Sequence, residues 1–382
     1  MNQVYQSDFI TFQKRLRPTR DDVIKLSRSF SEILPDPYVI TEKGTVRFQL
    51  YYPNANKLIL RNYLESYELT KQGDFWCGEF NIGDGFIALF LTIDDSEVIS
   101  RFLPIGYGGN QCINYVDIPD KAFRIEIENC RHGSVVSDYI ESKVTGQLEH
   151  VLIYLPEEYQ RKMNKRYPVL YLQHGHGENE GCWINQGKMN FIYDRLIENQ
   201  EVIPAIVVMA NGMHFDEVDN QRILNIRKFP EFLIKELIPY IDKKYRTLTL
   251  PEYRAMAGLS MGSIQTSITA FEHSELFAYV GLFSGFVQDI IGQYNKHLTL
   301  DNMKMFDQNV SLLFRAIGKN DPYSQIFKAD DLLLEKYHIS NKRKLYEGNH
   351  EWKVWRRCLS DFVKLIFRQQ RSEEKDIYGQ EK

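Results

Sequence analysis

The five residues Gly258-Leu259-Ser260-Met261-Gly262 constrain this chain more than any other stretch, because they join a short apolar run, Arg254 to Ala257, to an amphipathic stretch, Met261 to His273. A strand that turns abruptly into a helix around a strained serine has room only for glycine at the flanking positions. Such a turn exposes the serine oxygen. It also sets Ser260 at a helix N-terminus, where the Met261 amide can donate to a developing oxyanion. The pattern predicts a nucleophilic serine on an alternating α/β framework.

A serine hydroxyl is too weak an acid to act unaided, so it needs a base within hydrogen-bond reach and a carboxylate behind that base. With the serine on an elbow, the acid follows it in the chain and the histidine comes last, each on a loop after a later strand. Two segments meet that order. The run Leu312 to Ile317 ends in Gly318-Lys319-Asn320-Asp321-Pro322, and Lys344 to Tyr346 ends in Glu347-Gly348-Asn349-His350-Glu351-Trp352. Asp289, Asp307 and Asp330 do not directly follow a predicted core strand, and His273, His297 and His338 lack the placement. The expected set is Ser260 as nucleophile, His350 as general base and Asp321 as the acid that orients it.

The second oxyanion donor is expected on the loop after Val169 to Gln173, which reads His174-Gly175-His176-Gly177-Glu178-Asn179. Gly175 and Gly177 let the backbone approach a substrate, so an amide near His176 can face its carbonyl oxygen. His174, His176 and Glu178 also have the residue types of a metal site. No further His/Asp cluster is visible to close a tetrahedral shell, so no metal and no cofactor are expected. Trp352 and Trp355 follow the base at helical spacing; Trp352 is expected to line an acyl pocket, and Trp355 suits the core equally well.

A chain of 382 residues exceeds one average domain. Residues 1–36 read as a helical lead-in, with a helix over Asp21 to Leu34 entered through Thr19 and closed by Pro35. Over 37–120 the text consists of short β-type runs, Thr45 to Tyr52, Lys57 to Leu60, Asp74 to Phe80 and Gly85 to Ile93, separated by turn clusters. That grammar predicts a small antiparallel sandwich. From 121 to 370, bridging strands at Ala122 to Ile127 and Val151 to Tyr154 lead into apolar runs that alternate with helices, including one over Phe229 to Tyr245. Such alternation predicts a mostly parallel sheet with helices on both faces. Residues 371–382 read as a charged tail.

Hydrophobic residues at 43% and charged residues at 26% fit a globular chain, and a net charge of −4 supplies no basic field for nucleic acid. Met1 to Pro18 lacks the apolar core of a secretory signal, and no run of about 18 apolar residues predicts a membrane-spanning helix. The five cysteines are scattered without CxxC spacing. Free thiols in a reducing cytoplasm are the expectation.

The chain resembles the esterase D-like, enterochelin-esterase-like and feruloyl-esterase-like group of α/β-hydrolases. The resemblance rests on Val151-x-Ile153-Tyr154-Leu155-Pro156, Tyr167-Pro168-Val169-Leu170-Tyr171-Leu172-x-His174-Gly175, Glu236-Leu237-Ile238-Pro239-Tyr240-Ile241, the Ser260 elbow, and Gly348-Asn349-His350-Glu351-Trp352-x-x-Trp355-Arg356. It covers about residues 130 to 368. Ser263 departs from the pattern, which commonly has a glycine there. The front segment Val46-Arg47-Phe48-x-Leu50-Tyr51-x-Pro53-Asn54-Ala55 resembles early-set immunoglobulin-like modules related to carbohydrate-binding modules; Trp76 and Tyr52 are open between core and sugar platform. The resemblance implies an α/β-hydrolase behind an immunoglobulin-like sandwich. It implies a serine carboxylesterase acting on a small-molecule or oligosaccharide ester, with feruloyl or acetyl esters of plant carbohydrate the nearest candidates, and it allows a homodimer. A siderophore trilactone esterase, an acyltransferase and a non-catalytic carbohydrate-binding protein are the alternatives.

Overall fold

The computed structural model describes residues 36–125, 128–292 and 295–368. The helix read over Asp21 to Leu34 and the tail at 371–382 lie outside the described residues. Contacts divide the chain into two compact units between Arg124 and Ile125.

The first unit is all β. Its strands are β1 (Tyr38–Ile40), β2 (Val46–Tyr51), β3 (Leu58–Arg61), β4 (Ser66–Glu68), β5 (Thr70–Gln72), β6 (Phe75–Phe80), β7 (Gly85–Ile93), β8 (Ser96–Val98), β9 (Ile105–Gly108) and β10 (Gln111–Ile118). One sheet has the order β1-β2-β6-β5; the other runs β4-β3-β7-β10-β9, with β8 on β7, and the pairs are antiparallel. Side chains alternate across a strand, so Val46, Phe48 and Leu50 of β2 enter the core while Arg47 faces water. They meet Leu58, Leu60, Leu89, Leu91 and Val116. Trp76 is buried among them and donates its indole N–H to the Tyr52 carbonyl at 3.0 Å, so it belongs to the core. The Tyr52 hydroxyl is tied in turn to Ser100 Oγ at 2.8 Å.

The second unit holds β11 (Ser134–Glu141), β12 (Leu148–Leu155), β13 (Val169–Gln173), β14 (Ile206–Ala210), β15 (Phe215–Val218), β16 (Gln221–Leu224), β17 (Arg254–Leu259), β18 (Tyr279–Phe283), β19 (Leu312–Gly318) and β20 (Lys342–Tyr346). Eight of these strands form one sheet in the order β11-β12-β14-β13-β17-β18-β19-β20, while β15 and β16 form a separate hairpin. The sheet is parallel from β14 to β20 and antiparallel at β11-β12 and β12-β14. Every residue of β13, β14, β17 and β18 is buried, as expected of strands covered on both faces.

The helices are α1 (Cys182–Asn185), α2 (Met189–Glu198), α3 (Lys228–Phe232), α4 (Ile238–Lys244), α5 (Met261–Glu272), α6 (Leu300–Asn309), α7 (Ser324–Lys336) and α8 (Trp352–Val363). On one face of the sheet Val169, Tyr171, Ile206 and Val208 pack against Phe229, Phe232, Leu233 and Ile241. From α8, Phe362 meets the rings of Phe283 and Phe314 with centroids 5.8 and 5.9 Å away.

Two expectations are corrected. The segment expected as one helix over Phe229 to Tyr245 is broken into α3, a π turn over Leu233–Leu237, and α4. Pro239 has no N–H to give to the carbonyl one turn back, and the Ile238 amide reaches Leu233 O instead, which widens that turn. The bridging strand expected over Ala122 to Ile127 is not formed at its described residues; Lys121 to Phe123 bend, and the sheet begins later, at β11.

Candidate active site

Ser260 sits where β17 gives way to α5, with φ 50° and ψ −120°, a conformation that L-residues adopt only when the surroundings enforce it. Glycine at both flanks is what permits it. A Cβ on Gly258 would stand 2.3 Å from the Gly262 carbonyl oxygen, and one on Gly262 would stand 2.3 Å from the His174 carbonyl oxygen. The Ser260 amide donates to Phe283 O at 2.9 Å, which pins the elbow to the end of β18. Ser263 adds a tie that glycine could not make: its hydroxyl donates to Ser260 O at 2.6 Å and accepts the Phe286 amide at 2.9 Å. Gly262→Ala is expected to destabilise the protein by about 2–3 kcal/mol, because the added methyl meets backbone that cannot retreat. Chemical denaturation measures it, and a loss below about 0.5 kcal/mol would contradict this packing of Gly262.

Asp321 and His350 lie just past the carboxyl ends of β19 and β20, on the same edge of the sheet as Ser260. His350 Nε2 is 2.9 Å from Ser260 Oγ, and its Nδ1 is 2.8 Å from Asp321 Oδ2. The Asp321 side chain is fully buried while that of His350 is 21% exposed, so the pair points outward from the core. Burial opposes ionisation of Asp321, but the His350 hydrogen bond and charge, the Tyr323 amide and the Ser284 hydroxyl together hold its carboxyl below the usual carboxylate range.

Trp355, which the sequence leaves open between pocket and core, borders this pair together with Tyr323 and Ser284, which the sequence does not single out. Trp355 packs edge-on against His350 at 5.1 Å and donates its indole N–H to Ser284 Oγ at 3.0 Å. The Tyr323 ring contacts His350 from another side at 5.1 Å and is 39% exposed. Ser284, at the end of β18 with φ 43°, thus links Trp355 to Asp321. The signal for Ser284 existed only as a serine after a buried strand.

The loop after β13 places its residues unevenly. Gly175, with its amide bound to Glu178 Oε2 at 2.8 Å, and Gly177, with its amide on Met213 Sδ at 3.4 Å, both commit to internal acceptors. The amide of exposed His176 is taken by no acceptor among the described residues. The first amide of α5, at Met261, is one that a helix leaves without an internal partner. His174 is buried, accepts the Gly212 amide at Nε2 over 2.9 Å, and donates from Nδ1 to Gly175 O over 2.8 Å. Burial pushes its imidazole down to about 4, with the Gly175 hydrogen bond acting the other way. Nε2 thus joins the loop after β14 while Nδ1 braces its own loop, and with both nitrogens engaged His174 is removed from any His-x-His ligand set. Trp352, expected at an acyl pocket, is buried edge-on between Trp183 at 5.1 Å and Trp355 at 5.2 Å.

A second serine, histidine and carboxylate line up at the sheet edge. Ser137 Oγ is 2.5 Å from His150 Nε2, and His150 Nδ1 is 2.6 Å from Glu180 Oε1. Ser137 lies within β11, with no helix N-terminus behind it, so this line lacks the elbow that sets Ser260 apart.

Compared with known proteins, the chain matches the family model "Esterase" over residues 142–366. It is 32% identical over 343 residues to the "Endo-1,4-beta-xylanase/feruloyl esterase" of Xylanibacter ruminicola, across 86% of this chain and 46% of that protein. The chain therefore spans about half the length of that relative. A ferulic acid esterase of Anaeromyces mucronatus, solved in complex with ferulic acid, superposes with a TM-score of 0.57 at 22% identity, covering 65% of this chain and 96% of the other. The enterobactin esterase of Shigella flexneri superposes with a TM-score of 0.61 at 14% identity, covering 85% and 94%. At these identities the two structures bear on the fold alone.

Proposed function

The chain belongs to the esterase family, and from that premise we propose that it is a serine carboxylesterase whose substrate is an acylated carbohydrate, with a feruloyl or acetyl ester of plant type as the acyl donor. The observation that carries this reading is the line Ser260 Oγ, His350, Asp321, with contacts of 2.9 and 2.8 Å around a serine at a helix N-terminus. The substrate class is supported by the relative that combines xylanase with feruloyl esterase.

In the proposed reaction Ser260 Oγ attacks the ester carbonyl while its proton passes to His350 Nε2. The Nδ1–H of His350 stays on Asp321 Oδ2, which stabilises the imidazolium. The tetrahedral oxyanion accepts from the amides of Met261 and His176, the donors left free by the elbow and the loop. As the intermediate collapses, His350 returns the proton to the leaving alcohol oxygen, leaving an acyl group on Ser260. Water then attacks the acyl-enzyme with His350 as base, releasing the acid and restoring the serine. Tyr323, 39% exposed and edge-on to His350 at 5.1 Å, borders the base and suits an aromatic acyl group, and its ring is backed by buried Phe286 at 5.3 Å.

A matched set of esters tests the proposal: nitrophenyl acetate, methyl ferulate, acetylated xylo-oligosaccharide and an enterobactin-type trilactone, assayed with wild type, Ser260→Ala and Ser137→Ala. The expected result is turnover of the ferulate or acetyl esters by wild type and Ser137→Ala, and none by Ser260→Ala. Turnover confined to the trilactone would replace the substrate class with a siderophore ester. No turnover of any of them would shift the reading to a transferase or a carbohydrate-binding protein.

A further inference from the structure

The proposed chemistry leaves one buried carboxyl beside the nucleophile without a task. Glu178 is buried, its Oε2 accepts the Gly175 amide at 2.8 Å, and the Trp352 indole hydrogen-bonds to the same side chain. A Cβ placed on Gly175 would stand 3.2 Å from that oxygen, 3.4 Å from Ser260 Cβ and 2.6 Å from Leu259 Cδ1. Carboxyl, loop glycine and elbow therefore form adjoining layers. The Glu178 amide turns back to Gly175 O at 3.4 Å and closes the loop on itself.

The consequence lies in which amide the loop presents. Of three successive residues, Gly175 gives its amide to Glu178 and Gly177 gives its amide to Met213 Sδ, while that of His176 remains without an internal acceptor. We propose that Glu178 is a positioning residue: by taking the Gly175 amide it fixes the turn so that the His176 amide faces the developing oxyanion. This inference rests on the serine-esterase reading above, since it assigns Glu178 a role only through the oxyanion site.

Charge strengthens the case. Among the described residues no cation pairs with Glu178; what faces it is the Gly175 amide, the Trp352 indole of α8, the Cys182 thiol of α1 and, across Gly175, the Ser260–His350 pair. Burial pushes its carboxyl up to about 8, with the Gly175 and Trp352 hydrogen bonds acting the other way. Below that pH the group is a neutral acid, and the growing negative charge on the substrate meets no like charge behind the loop. Above it, an ionised carboxylate would oppose the oxyanion, so turnover should fall on the alkaline side.

Glu178→Gln and Glu178→Ala of the full chain separate positioning from bulk stability, because glutamine keeps the acceptor and the volume without a titrating group. On the best ester of the wild type, Glu178→Ala is expected to lower kcat by roughly 10²-fold with KM within about twofold, the pattern of a lost transition-state contact. Glu178→Gln should keep kcat within about threefold at neutral pH and lack the alkaline fall of the wild type. Hydrogen exchange of the peptide over 173–181, measured without substrate, should rise in the alanine variant and stay protected in the glutamine variant. An alanine variant with wild-type kcat overturns the proposal. So does a glutamine variant as slow as alanine at an unchanged melting temperature. If the wild type hydrolyses no ester, the esterase reading fails on its own, and the exchange result still decides whether Glu178 holds the loop: unchanged protection in Glu178→Ala overturns it, and lost protection rescued by glutamine upholds it.

Discussion

Replacing Ser260 by alanine is expected to lower kcat by roughly 10⁵-fold or more on any ester the wild type hydrolyses, and His350→Ala to cost about as much. The two losses should not add. Ser260 Oγ and His350 Nε2 share one proton-transfer contact of 2.9 Å, so without either partner the other has nothing to do. The double variant is then expected to turn over at the rate of the singles, with residual activity only from oxyanion donors and binding. Steady-state kinetics of the three variants measure this. Residual kcat above about a hundredth of wild type in Ser260→Ala, or losses that multiply in the double variant, would remove Ser260 from the role of nucleophile. Ser137→Ala serves as the internal control, because its own contact with His150, at 2.5 Å, is shorter still but lacks an elbow.

Much of this arrangement was readable from the residues, and the reason is steric. The Gly258-x-Ser260-x-Gly262 spacing follows from clashes of 2.3 Å at both glycines, so the sequence pattern and the backbone conformation express one constraint. Strand β13 has the bounds expected from its apolar run, since fully buried parallel strands need continuous hydrophobicity. Edge elements left weaker marks. In β11 an inward position is taken by Asp138, satisfied by the Tyr245 hydroxyl at 2.9 Å and Lys244 Nζ at 2.7 Å, so the alternation that would announce a strand is broken by a paired charge. The β15–β16 hairpin exposes most of its residues and shows no apolar stripe. Helix α6 did carry a signal, Thr299, whose hydroxyl accepts the Asn302 amide at 3.1 Å as an N-cap.

The loop after β13 shows where sequence reasoning reaches its end. Residue types pointed to the neighbourhood of His176, yet which of three amides stays free depends on Glu178 and Met213, and Met213 lies on the loop after another strand. Trp352 and Trp355 stand three residues apart on one helix, but only the Trp355 ring packs on His350, because Trp352 is turned into the gap beside Trp183. Contacts between loops of different strands are set by the folded sheet and have no local pattern to reveal them.

The acid of the site gives the sharpest electrostatic expectation: Asp321→Asn should lower kcat by roughly 10⁴-fold while leaving the fold intact. Asparagine has the same shape, so the loss must come from hydrogen-bond polarity. The Tyr323 amide donates to Oδ1 at 3.0 Å, which will hold the carbonyl oxygen of an asparagine at that position. Its NH₂ group is then turned to where Oδ2 now accepts from His350 Nδ1 at 2.8 Å. Two donors cannot face one another, so the imidazole must carry its proton on Nε2, where it can no longer take one from Ser260. Ser284 reinforces the native polarity, since the Trp355 indole fills its acceptor side and leaves the hydroxyl proton for Asp321. Ser284→Ala is accordingly expected to have a much smaller effect than Asp321→Asn, because it removes one donor and leaves the tautomer unchanged. Thermal unfolding alongside kinetics checks both, and an Asp321→Asn variant that keeps more than about a tenth of wild-type kcat would falsify Asp321 as the residue that sets the state of His350.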